Sequence, residues 1–208
     1  MEEKKISEQE SLELITRMIN QTKKDLSVGN GDSFLMWGYL STAISLAVIV
    51  MLLATNDPRF AWLYMVIPIA GFTASGIKTY KAKRKSHVAS TYASNTINNV
   101  WAIISAVFAV YAISCLLHFG EVRSWNGMFL LGMLLPGIGT YTTGVILKEK
   151  SIQMCGILGV VIGTGLLRDY VCGEQVISIM QMGQMVLSFV ITLIIPGHIL
   201  NFKAKKQQ

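Results

Sequence analysis

Charge is the scarcest commodity in this sequence. Only 14% of its 208 residues are Asp, Glu, Lys or Arg, while 52% are hydrophobic. An ordinary soluble domain carries ~25% charged residues, so this chain lacks the side chains to cover a water-soluble globule. The acids are missing where they would matter most: no Asp or Glu falls inside any long apolar stretch. Ionisable groups inside a bilayer are costly and are usually kept for function. Their absence argues against transport coupled to protons or sodium through a membrane carboxylate, and against a paired-carboxylate metal site. Cysteine is also rare. Cys115, Cys155 and Cys172 show no CxxC or Cys/His metal spacing, so no metal and no other cofactor is expected. Cys115 and Cys172 fall on the same expected side and a disulfide between them is conceivable, although small apolar filler is the preferred reading of all three. Alternating ten-residue segments are absent, which excludes a membrane β-barrel.

What is present is a set of six long apolar runs, near 34–54, 60–79, 96–118, 126–147, 151–167 and 176–200. About 20 residues of helix cross the ~30 Å hydrocarbon core, and lipid offers no partner for an unpaired backbone. The expected fold class is therefore all-α: a polytopic membrane protein of six transmembrane helices, arranged as three hairpins. Residues 1–32 form a polar segment before the spans and 203–208 a basic tail after them. The first segment holds no apolar run of the signal-peptide kind, so no cleavable leader is expected.

The positive charges set a direction. Fifteen of the 18 Lys and Arg fall in the two tails and the loops after spans two and four, against Arg59, Arg123 and Arg168 on the other side. The positive-inside rule places the crowded side, with both termini, in the cytoplasm. Lys78, Lys81, Lys83, Arg84 and Lys85 form the densest run. Few aromatics accompany it, which argues against nucleic acid and for contact with anionic lipid.

A weaker threefold pattern overlies the spans. The inward ends of spans two, four and six carry Lys-x-Lys (81–83, 148–150, 203–205), and each of these spans holds one proline: Pro68, Pro136 or Pro196. Trp37 precedes Arg59 by the same spacing as Trp101 precedes Arg123. A degenerate repeat of hairpins is one reading, and the ordinary consequence of positive-inside hairpins is the other. The six-span carrier family built of three repeats is rejected, because the acid of its Pro-x-acid-x-x-base motif is missing after Pro68 and Pro136.

Polar and flexible residues inside the spans are the remaining candidates for a site. Pro68 and Pro136 are predicted to kink their helices and free carbonyls. Together with Gly137, Gly139, Thr140, Gln181 and Gln184 they define a predicted midplane cavity or hinge, set against a purely structural kink. The glutamines serve equally as glue between helices, and Met182 and Met185 as core filler. Gly156, Gly159 and Gly163 form a small-residue face for close helix packing, with Gly165 added to it. Ser75 on span two and His198 on span six are the one pair that suits an intramembrane hydrolase, and a lone serine and a lone histidine in six helices rank that reading last.

Ahead of span one, Ser7 and Glu10 make a capping box. Leu12, Ile15, Ile19 and Leu26 follow at helical spacing, predicting an amphipathic helix over about 8–26. Its acidic start disfavours a pure lipid anchor, so packing under the bundle or contact with a partner or second copy is expected. At "ESLELITRMINQTKKDL" and "FLMWGYL" the chain resembles a group of uncharacterised bacterial six-span inner-membrane proteins. They share a Glu-Ser-Leu helix and an aromatic Trp-Gly entry to the first span. The resemblance implies a bacterial cytoplasmic membrane and carries over no functional residues. Three functions follow in order: a non-enzymatic scaffold or regulatory protein with a cytoplasmic interaction helix, a channel or uncoupled small-solute transporter with its path near spans two and four, and an intramembrane hydrolase.

Overall fold

A computed structural model describes residues 9, 12, 13, 16, 30–85, 92–117, 122–171 and 178–206. Among them there is no strand. Among the described residues from Asn30 on, seven α-helices follow one another: α1 (Asn30–Thr55), α2 (Val66–Lys85), α3 (Tyr92–Leu117), α4 (Val122–Ile146), α5 (Lys150–Val171), α6 (Ile179–Phe189) and α7 (Ile195–Lys206). A 3-10 helix (Pro58–Met65) leads into α2, and a π-helical turn (Val190–Ile194) joins α6 to α7. By length and hydropathy these make six membrane-spanning helices, covering Gly31–Thr55, Arg59–Lys81, Ala93–Cys115, Gly127–Ile146, Lys150–Arg168 and Ile179–Lys206. The protein is an all-helical, polytopic membrane protein.

Helix ends follow local chemistry. Span one stops at Asn56, whose φ of 53° lies in the left-handed region that asparagine tolerates better than most residues. Asp57 then accepts the amide of Arg59 at 2.9 Å and opens the 3-10 helix. Helix α4 ends in a Schellman turn: Glu149 N–H donates to Gly144 C=O at 2.8 Å, and Lys148 N–H to Val145 C=O at 3.1 Å. The residue that must turn left-handed is Lys148, at φ 56°, where glycine is the usual occupant. Span six begins at Ile179 rather than 176, because Ser178 and Gln181 close a capping box there.

Packing is densest between α4 and α5, where glycines let backbones touch. A Cβ on Gly137 would lie 2.9 Å from Val160 N, one on Gly144 would lie 2.6 Å from Gln153 N, and one on Gly156 would collide with the backbone of Tyr141. Lipid tails are as apolar as leucine, so close van der Waals fit of this kind, rather than water exclusion, holds membrane helices together. Helix α1 packs along α6 and α7 and along the helices of span two. The buried cluster of Phe34, Met133, Ile152, Leu166, Met185, Phe189, Leu193 and Leu200 fills the centre of that arrangement.

One end of the bundle is tied together by polar side chains. Lys78 Nζ donates to Ser33 Oγ at 3.1 Å, Asn201 Nδ2 to Asp32 Oδ1 at 2.8 Å, and Lys203 pairs with Glu149. The start of span one, the end of span two, the turn between α4 and α5 and the end of span six therefore share a face.

Candidate functional site

Prolines shape two of the spans, in different ways. Pro68 lies near the middle of span two, as predicted, but at a junction, in the first turn of α2 directly after the 3-10 helix. A proline clashes with the carbonyl four residues back, so the chain ahead of Pro68 winds as 3-10 rather than α. The 3-10 run is 8 residues long, where 3–4 is usual. Pro136 does sit inside α4, buried, and gives the Gly132 carbonyl no backbone donor.

Between spans one, two, three, four and six lies a cavity of about 500 Å³, within the range of small-molecule sites. Its wall is built of three edge-to-face aromatic pairs. Phe34 meets Trp101 with ring centres 5.1 Å apart, Trp37 meets Phe72 at 5.5 Å, and Tyr64 meets Phe129 at 5.0 Å. Each pair bridges two different spans. Glycines make room for the indoles: a Cβ on Gly71 would run into the Trp37 ring, and one on Gly139 would come within 3.2 Å of Trp101 and 2.7 Å of Ile104. Trp101 is also held by its Nε1–H, which donates to Thr143 Oγ at 3.2 Å. Thr143 in turn donates to Gly139 C=O at 2.7 Å. The Thr143 hydroxyl thus accepts from the indole and donates to its own helix, and the ring is fixed at a set rotation.

The cavity is long and mostly apolar. Along α3 its wall runs from Ile97 to Ala112, ~22 Å at the rise of an α-helix. It is open on one side. Trp62, Phe72, Asn98 and Ala109 belong to the wall and are still exposed, and contact between the described residues of α2 and α3 is at most slight.

Of the predicted cavity residues, Pro68 and Pro136 line the chamber. Gly137, Gly139, Thr140, Gln181 and Gln184 stand elsewhere. Gly137 is the contact with α5, Gly139 the seat of Trp101, and Gln181 a helix cap. Thr140 donates to Thr192 C=O at 2.7 Å, in a buried contact between α4 and the π-helical turn. Pro196, four residues on, has no N–H to offer that carbonyl. Gln184 is half-buried on α6. Gly156, Gly159 and Gly163 are all buried: Gly156 opposes Tyr141, Gly159 opposes Thr192, and Gly163 opposes Leu134. Gly165 meets nothing within 4 Å.

His198 and Ser75 are not joined by a hydrogen bond. His198 Nε2 instead meets Tyr39 Oη at 2.8 Å across the contact of α7 with α1. No group of three or more His, Cys, Asp or Glu among the described residues is arranged to hold a metal. Cys115 is buried, and Cys172 lies outside the described residues. Leu12 is helical and exposed; Ile15, Ile19 and Leu26 lie outside the described residues. Lys78 and Lys81 are exposed on α2, and the side chains of Lys83, Arg84 and Lys85 lie outside the description.

The aromatic wall is the feature that the sequence did not announce. Trp37 and Trp101 stand out there only as markers of a repeat. The usable signal would have been tryptophan well inside a span, since membrane tryptophans gather at the interfaces. Compared with known proteins, the chain matches no family model, no curated protein and no solved structure. Its function is argued from the chamber.

Proposed function

We propose that this is a non-enzymatic protein of a bacterial cytoplasmic membrane, with both termini inside, that holds an apolar guest in its interhelical chamber. The observation that carries this is the chamber's largely apolar, aromatic wall, of which Trp62, Phe72 and Ala109 are exposed on membrane-spanning helices. Apolar surface lining a pocket favours an apolar guest, with a few polar groups to orient it. The inside location of the termini rests on the asymmetry of fifteen positive residues against three. In this reading the cytoplasmic segment before Asn30 is the output, meeting a protein partner or a second copy according to whether the chamber is filled. This keeps the regulatory role expected from the sequence and gives it an input.

The lining disfavours a conduit for ions or polar solutes, since a path for them needs hydrogen-bonding groups along its length. The test uses the full chain in nanodiscs and a brominated alkane, which quenches nearby tryptophan. Trp37, Trp62 and Trp101 line the chamber, so quenching should saturate. Ser105→Phe, which fills the chamber from α3, should remove the saturable part. Quenching that rises linearly with probe, as in plain lipid, would refute the reading.

A further inference from the structure

The chamber has two unlike ends. At one, the wall is Ala61, Ala112 and Met128, with no charge. At the other it is Ser33, Ile97 and Asn98. Lys78 reaches this second end, with its ammonium 3.1 Å from Ser33 Oγ. Lys78 is exposed, near the end of α2, where a lysine stem lies along apolar surface while its head stays at the water boundary. The acid next to Ser33 in sequence, Asp32, is engaged by Asn201 on α7 at 2.8 Å.

We infer that the guest is a single-chain anionic amphiphile, a long-chain fatty carboxylate, with its head at Lys78, Ser33 and Asn98 and its chain in the aromatic chamber. This rests on the chamber binding an apolar guest at all, and adds which one. Three features select it. Spread over the ~22 Å between Ile97 and Ala112, 500 Å³ suits one extended hydrocarbon chain. The mouth carries a cation with a hydroxyl and an amide beside it, which suits a compact, singly charged head through charge-assisted hydrogen bonds. The wall residues Trp62, Phe72 and Ala109 are exposed on the outside of the spans, so the chain enters from the bilayer without leaving hydrocarbon. The head then stays at the interface throughout, and no charge crosses the membrane.

The experiment measures saturable tryptophan quenching of the full chain in nanodiscs by three brominated probes. These are dibromostearate, the matching dibromo alcohol, and a dibrominated two-chain phosphatidylglycerol. The carboxylate should bind about tenfold tighter than the alcohol, the scale of one charge-assisted contact. Lys78→Gln should abolish that preference and Lys78→Arg should keep it. Lys78 also ties span two to span one through Ser33, so the thermal aggregation of both variants is compared with that of the parent chain, and an unchanged Lys78→Gln profile separates lost head-group binding from a loosened bundle. Equal binding of carboxylate and alcohol, or a preference untouched by Lys78→Gln, would overturn the inference while leaving the apolar chamber intact. Phosphatidylglycerol binding as tightly as the carboxylate would overturn the single-chain assignment. Absence of saturable quenching with every probe would overturn the inference and the chamber reading together.

Discussion

Thr140 and Pro196 show how one side chain makes another tolerable across a helix interface. Pro196 has no N–H to offer the Thr192 carbonyl, and Thr140 Oγ supplies a donor at 2.7 Å. Both threonines are fully buried, so nothing else in the bilayer would replace the bond. Thr140→Val should cost about 1–3 kcal/mol, the penalty of an unsatisfied buried carbonyl. Pro196→Ala in the same chain restores a backbone N–H and should recover most of the loss. Unfolding by graded detergent denaturation would measure both; equal losses in the single and double variants would show that the two are uncoupled. Gly139 has a different job, and Gly139→Ala should push Trp101 off its seat. The expected cost is about 1–3 kcal/mol from overpacking, with a shift in tryptophan emission as the separate readout.

Among the elements, the α4–α5 hairpin depends on glycines whose missing side chains are occupied by the facing backbone. Gly156→Val should unfold or loosen the bundle, while Gly165→Val, with open space around it, should be tolerated; comparing thermal aggregation of the two checks this. The turn after α4 also holds a non-glycine residue in a left-handed conformation. Lys148→Gly should stabilise the hairpin by up to about 1 kcal/mol, by relieving the Cβ contact that disfavours this region. A lower stability in detergent denaturation would refute that account. Span six departs further from regular helix, with a π-helical turn placed before its proline. The turn lets Ile195 N–H bond Val190 C=O, keeping the backbone paired where lipid offers no substitute.

For the whole molecule, the polar clamps put the start of span one and the ends of spans two and six on one face, and the proposed orientation turns that face to the cytoplasm. Cysteines placed in the 86–91 loop should be labelled only from the cytoplasmic side in intact cells. Neutralising Lys78, Lys81, Lys83, Arg84 and Lys85 together should yield a mixed orientation in the same assay, because the inward bias is carried by such clusters. Unchanged labelling would mean that the remaining charges suffice.

The six spans, their approximate limits and the shared face of their basic ends were legible in the sequence for a simple reason. Hydrocarbon acts on each segment separately, through its length, its apolarity and the lysines at its ends, and all three can be read one span at a time. The glycine face of α5 was legible for the same cause, as a spacing within one helix. The chamber was not. Its wall pairs Phe34 with Trp101 and Tyr64 with Phe129, residues far apart in sequence that meet only through the relative rotation of packed helices. Pro68 was read as a mid-helix kink because the 3-10 run ahead of it leaves no hydropathy signal. From the sequence Thr140 is expected to be a cavity residue, because its partner, the Thr192 carbonyl, lies on another span. The sequence by itself determined that this chain is a six-span membrane protein with its charge on one side. Only the tertiary structure decided that a chamber lies between the spans, because side-chain fit between helices, and not partition into lipid, sets which faces meet.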